Sequence, residues 1–261
     1  MVVSLEGGCR VSAMRDGNPL TKDTLRIWNR IGRATGAQSI SLRVLEFAPG
    51  LSPGISNGDC DEVLYVLGES EVGTTRENRT IDLSIDGETY KVGPDTGIYI
   101  RAGQTFAIDN PGASSVAVIS SQCPDPDSAP QFVSMSRESS TCSSSAAPIV
   151  RLADRPAQST ADRWYRVMVD DEVGSTQVTQ FVGSIPPGRA PNHFHNYEEV
   201  LVILKGEGRM WAGETSTPIS AGSCIYLPKG QVHCVENTGE GELRLLGVFY
   251  PAGSPSVRYD A

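Results

Sequence analysis

An all-β chain made of two copies of one barrel is the fold this sequence predicts, and three observations carry that reading. Twenty-seven glycines and 17 prolines punctuate short runs rich in Val, Ile, Leu, Tyr and Thr, the pattern of strands closed by turns. A sustained 3.6-residue period is missing nearly everywhere. Segments in the two halves of the chain also answer each other. At 261 residues the chain has room for two domains of about 110–130 residues. Period-2 strands with Gly and Pro turns bury a face by closing into a barrel.

In chain order, Ser39–Phe47, Glu62–Leu67, Gly97–Ile100, Val116–Ser120, Gln177–Gly183, Glu199–Leu204 and Arg244–Tyr250 read as strands. Thr21–Ile31 is the one stretch that reads as a short helix. Residues 124–148 are rich in Ser and Pro and poor in large apolar groups, so they read as a linker that partly crosses a neighbouring surface. The expected units are therefore 1–123, the linker 124–148, and 149–261. Glu62 and Glu199 are 137 positions apart, whereas Gly103 and Gly230, and Asn110 and Asn237, are each 127 apart. The first copy thus carries ten extra residues, expected around Thr74–Asp82.

Composition narrows the function. Net charge is −9 and its sign is spread along the chain, which argues against nucleic acid or an anionic membrane as partner and leaves a small molecule. No apolar run approaches the roughly 20 residues of a membrane helix. The clearest, Val200 to Leu204, is five long. The first residues lack the features of a secretory signal, and six cysteines without a CxxC pair suit a reducing compartment, so a cytoplasmic location is expected. Unpaired strand edges make a homodimer a further expectation.

The chain has three histidines, His193, His195 and His233, and all lie in the second copy. His193 and His195 leave the same face of a strand, Glu199 follows in phase, and a paired strand brings His233 opposite. Three imidazoles and a carboxylate on one face suit one divalent transition metal: Mn, Fe, Co, Ni, Cu or Zn.

Gly188, His193-Phe194-His195, Glu199 and Gly206 resemble the first cupin motif, with four rather than five residues between Gly188 and His193. Gly222, Pro228, Gly230, His233 and Asn237 match the second at every spacing. The resemblance implies two tandem jelly-roll barrels, a bicupin, with the metal in the mouth of the second and His193, His195, Glu199 and His233 as its ligands. In the first copy Ser56 and Gly58 stand where the paired histidines should be, Phe106 replaces the third, and Glu62 alone remains. That barrel is expected to be a structural partner without metal, with Phe106, Tyr65 and Tyr99 lining any cavity it keeps.

Cupin sites of this kind host dioxygenases, decarboxylases, sugar isomerases and hydrolases. With no fourth histidine and no evident base at a motif position, chemistry at the metal is expected, with a dioxygenase-like oxidoreductase first. The alternatives are redox-neutral isomerase, lyase or hydrolase chemistry, or metal binding without turnover. Glu199 is the candidate catalytic residue, as ligand and proton shuttle. Phe181, Tyr226 and Trp211 are candidate walls for an apolar substrate and Arg209 a candidate anion contact. Glu198 and Glu236 alternate out of phase and are expected to face away.

Overall fold

In the computed structural model, residues 2–68, 80–134, 148–160, 162–256 and 259–260 are described. Their regular structure is strand throughout, apart from four three-residue 3-10 turns. The strands form two sandwiches. In the first, a seven-stranded sheet faces a six-stranded one across a core that includes Leu25, Leu45, Leu64, Leu83, Ile98 and Phe106. In the second, an eight-stranded sheet faces another six-stranded one across Leu201, Ile203, Met210, Ile225, Val235 and Phe249. Each pair closes into the antiparallel barrel expected from the period-2 strands.

The two barrels stand back to back. Along the strand Glu198–Lys205 every residue except Lys205 is buried, because both faces are covered. Leu201 and Ile203 point into the second barrel. Val200, Val202 and Leu204 join Val63, Tyr65, Tyr99 and Trp28 in a third core between the barrels. Such a strand reads as a continuous apolar run rather than an alternating one. The same parity corrects the expected lining of the first barrel: Phe106 is inside it, but Tyr65 and Tyr99 face the interface.

The stretch Thr21–Ile31 is a hairpin and not a helix. Leu20–Lys22 pairs antiparallel with Leu25–Ile31, turning through Asp23 at φ 52°. Leu25 and Ile27 enter the barrel core while Trp28 and Ile31 enter the interface. Two buried faces and a register shift between Asn29 and Ile31 place apolar side chains at 27, 28 and 31, a spacing that imitates a helical stripe.

Sheet membership also crosses the expected units. Arg10–Ala13 adds to the second barrel by pairing with Ser223–Leu227, and Ile149–Arg151 adds to the first by pairing with Thr96–Ile100. Each arm covers an edge strand of the other copy's sheet, which removes an open row of hydrogen-bonding groups. Part of the expected linker is likewise barrel: Gln131–Val133 pairs with Gly54–Ser56, as Tyr259–Asp260 pairs with His193–Phe194 in the second copy. Residues 135–147 of the linker, and 69–79, where most of the expected ten-residue insertion falls, lie outside the described residues.

Polar contacts fasten the two backs together. Glu198 points away from the barrel interior, as its phase predicts, and receives the backbone N–H of Gln38 at 2.8 Å and of Ser39 at 2.6 Å. It also accepts the Tyr226 hydroxyl, and that oxygen lies 3.3 Å from the Gly36 carbonyl. The first copy repeats the device: the Tyr99 hydroxyl bonds Asp61 and Ser175, and burial with the nearby Asp61 charge raises its pKa to about 12. Glu198→Ala strips an acceptor from three donors at once, which costs about 3 kcal/mol. For a chain of this size that lowers the Tm by about 6–12 °C, read by calorimetry, with metal content unchanged.

Candidate metal centre

His193 and His233 are cross-strand partners, and His195 follows two residues after His193. The ring centroids of His193 and His233 are 4.5 Å apart, of His193 and His195 4.9 Å, and of His195 and His233 5.2 Å. One ring nitrogen from each falls within 4.8 Å of the others. Glu199 stands beside this trio, its Oε2 3.5 Å from His195 Nε2. The four residues named from the sequence are therefore gathered in one place.

Backbone carbonyls set the tautomers. His193 Nδ1 lies 3.0 Å from the Pro191 carbonyl and His233 Nδ1 2.8 Å from that of Gln231. A carbonyl can only accept, so each Nδ1 carries the hydrogen and each Nε2 keeps its lone pair for the site. Burial, reinforced by the neighbouring His193, holds the His233 pKa down to about 3, so its imidazole is neutral. Burial without a nearby cation pushes the Glu199 pKa up to about 8. The neutral His233 ring, the His193 and His195 ring nitrogens beside it and a carboxyl group with no positive charge at hand form a donor set that suits a divalent transition ion.

An aromatic column, invisible as a motif, braces the trio. The His195 ring stacks on Tyr197 at 4.8 Å, Tyr197 on Phe249 at 4.5 Å, and Phe249 meets Phe181 at 6.0 Å. Tyr197 shares its phase with His195 and Glu199, and that is the signal that could have revealed it. The histidines and Glu199 open into a cavity of about 140 Å³ with Phe181, Leu201, Val235 and Leu245 among its walls.

Of the expected wall residues, Phe181 alone belongs to this cavity. Tyr226 packs between the barrels. Trp211 lies on the outer face of its sheet, with Arg189 4.0 Å above the ring and Glu236 accepting its indole N–H at 2.8 Å. Arg209 is on that same outer face, bonded to Ser216 at 3.0 Å. Parity is the reason: Met210 and Ala212 take the inward positions.

In the first barrel the matching carboxylate, Glu62, is fully buried and is answered by the chain itself. Arg43 Nη2 and Ser120 Oγ each lie 2.5 Å from Oε1, and Gln122 Nε2 lies 3.3 Å from Oε2. Strand register sets Arg43, Ser120 and Gln122 where the second barrel has Phe181, Gly247 and Phe249. Glycine at 247 is required there, since a Cβ would come within 2.3 Å of the Phe181 ring. Ile55, not the expected Ser56, pairs with Phe106. Two apolar side chains thus take the places of the paired His193 and His233. His193→Ala and His233→Ala each lower metal affinity by more than the roughly 10–100-fold typical of supporting residues. Phe106→Ala leaves it unchanged, and equilibrium dialysis with elemental analysis measures all three.

Residues 181–249 match the Cupin domain family. Among curated proteins the chain is similar to auxin-binding protein 1 of Arabidopsis thaliana, 35% identical over 86 residues, which are 29% of this chain and 43% of that protein. It is also similar to an oxalate-binding protein of Thermotoga maritima, 38% identical over 67 residues, or 25% of this chain and 55% of that one. The chain thus spans about half the length of these relatives. Among solved structures it resembles a deletion variant of Bacillus subtilis oxalate decarboxylase, with a TM-score of 0.73 at 13% identity over 92% of this chain and 76% of the other. A Lactobacillus farciminis oxalate decarboxylase with formate gives 0.74 at 11% identity over 96% and 87%; at such identities the likeness is one of fold. With two jelly-roll barrels back to back and both histidine motifs converging in the second, the chain has the bicupin fold, and its residues 181–249 carry the Cupin domain match.

Proposed function

We propose that the second barrel is a metal-dependent site for a small organic acid and that it performs redox-neutral cleavage of the decarboxylase class. One observation carries this reading: three imidazoles and a single carboxylate, Glu199, converge at one end of a cavity whose other walls are largely apolar. The oxalate-related names of the similar proteins favour it over the dioxygenase-like chemistry expected from the sequence.

The residues divide the work as follows. His193, His195 and His233 would hold the ion, with Glu199 as fourth ligand or close neighbour. A bound divalent transition ion supplies Lewis-acid chemistry, drawing electron density from a carboxylate or adjacent oxygen. Phe181, Leu201 and Leu245 exclude water, which strengthens every charge interaction inside. Loss of CO2 leaves an electron pair on carbon that must take up one proton. Among the described residues Glu199 is the one carboxyl group on the cavity wall, and it is the group suited to deliver that proton.

The test measures CO2 release and oxygen uptake separately, with manganese-, iron-, nickel- or zinc-loaded protein and a panel of oxalate, 2-oxo acids and 3-oxo acids. The expected result is CO2 without stoichiometric oxygen consumption. Glu199→Gln keeps the fold and retains metal but lowers the rate by about 10²–10⁴-fold. Stoichiometric oxygen uptake would return the dioxygenase reading, and tight acid binding without turnover would make the protein a carrier.

A further inference from the structure

One cation on the cavity wall has no part in the chemistry above. Arg163 opens the strand Arg163–Val169, in phase with Tyr165 and Val167, and both of these pack into the interior of the second barrel. A row that otherwise points apolar groups inward therefore begins with a guanidinium. Arg163 lines the same cavity as His193, His195, His233 and Glu199. It belongs to the eight-stranded sheet, whereas the histidine strands belong to the facing six-stranded one.

Its side chain is 18% exposed, and its one ion pair among the described residues is to Asp162, the adjacent residue, at 3.5 Å. Its Nε is buried without a hydrogen bond, as are those of Arg155, Arg166 and Arg244, but its Nη atoms make no hydrogen bond among the described residues. Other arginines of this barrel are better matched. Arg166 donates to the Leu152 carbonyl at 2.7 Å, and Arg155 and Arg244 pair with acidic side chains. A partly buried guanidinium with so little compensation is costly unless a ligand supplies the anion.

We propose that Arg163 is the receptor for a second carboxylate, so that the site takes an organic acid with two polar ends and an apolar middle. Resting on the reading of the site as a metal centre, the proposal assigns one end of the ligand to the histidines and the other to Arg163. The apolar middle lies against Phe181, Leu201, Val235 and Leu245. A carboxylate fits better than a phosphate. The planar fork of arginine pairs with it through two parallel hydrogen bonds, and a single guanidinium already near Asp162 would under-compensate a dianion. Thr160, the cross-strand partner of Arg163, adds a hydroxyl on the same wall.

The experiment is calorimetric titration of adipate against hexanoate, and of succinate against butyrate, into wild type, Arg163→Met and Arg163→Lys. Each is run in metal-free and manganese-loaded form, with metal content assayed first. In wild type at least one diacid binds about ten-fold tighter than its monoacid. Arg163→Met removes that advantage while leaving metal content and monoacid affinity within about two-fold, and Arg163→Lys restores part of it. Equal affinity for both members of each pair in wild type, an advantage that survives Arg163→Met, or no binding of any of the acids overturns the proposal. A wild type that takes up no metal overturns the reading of the histidines instead, and Arg163 is then judged from the metal-free titrations.

Discussion

A carboxyl group buried inside a β-barrel is either answered by positive charge or held protonated by its burial, and the two halves of this chain take different courses. Glu62 and Glu199 sit on matching strands and are both almost wholly buried. In the first barrel the answer is covalent to the chain: Arg43 reaches Glu62 at 2.5 Å, with Ser120 and Gln122 completing the shell. In the second barrel the positions of those three residues hold Phe181, Gly247 and Phe249, and the carboxylate faces imidazoles. Breaking a buried pair such as Arg43–Glu62 from one side costs about 3–5 kcal/mol, so the first barrel is committed to its internal pair. The second is left open to a cation from solution.

The strand Glu198–Lys205 serves both halves of the molecule through its parity. Its inward residues bring Glu199 to the histidines and Leu201 to the cavity wall. Its outward residues carry the interface, where Glu198 accepts hydrogen bonds from the loop of the other barrel. The site is therefore stiffened from behind, and the exchanged arms Arg10–Ala13 and Ile149–Arg151 cover the sheet edges on either side. The first barrel lacks the histidine trio yet still forms the surface against which the site is built.

Much of this was legible in the sequence because it depends on periods of two. His193, His195 and Glu199 share a parity, the matched block around Gly230 brings His233 opposite, and the repeat shows that the first copy lacks these groups. What escaped depends on which face of a strand meets which neighbour. Thr21–Ile31 reads as a helix in the sequence because both faces of its strand Leu25–Ile31 are buried. Tyr65, Tyr99 and Tyr226 read as barrel-interior residues in the sequence, but their parity turns them to an interface that one barrel alone does not reveal. Arg43 lies outside every motif, and its meeting with Glu62 follows from the register of three strands. Arg163 carries no motif either, and its meaning comes from the cavity it enters.

The central claim is that one barrel holds a metal ion while the other neutralises its carboxylate internally. Anomalous diffraction from crystals of the manganese- or zinc-loaded protein, recorded at the absorption edge of the ion, tests it most directly. The account predicts one anomalous peak per chain, within about 2.0–2.3 Å of the Nε2 atoms of His193, His195 and His233, and none beside Glu62. A second peak in the first barrel, or a peak away from the histidines, would contradict it.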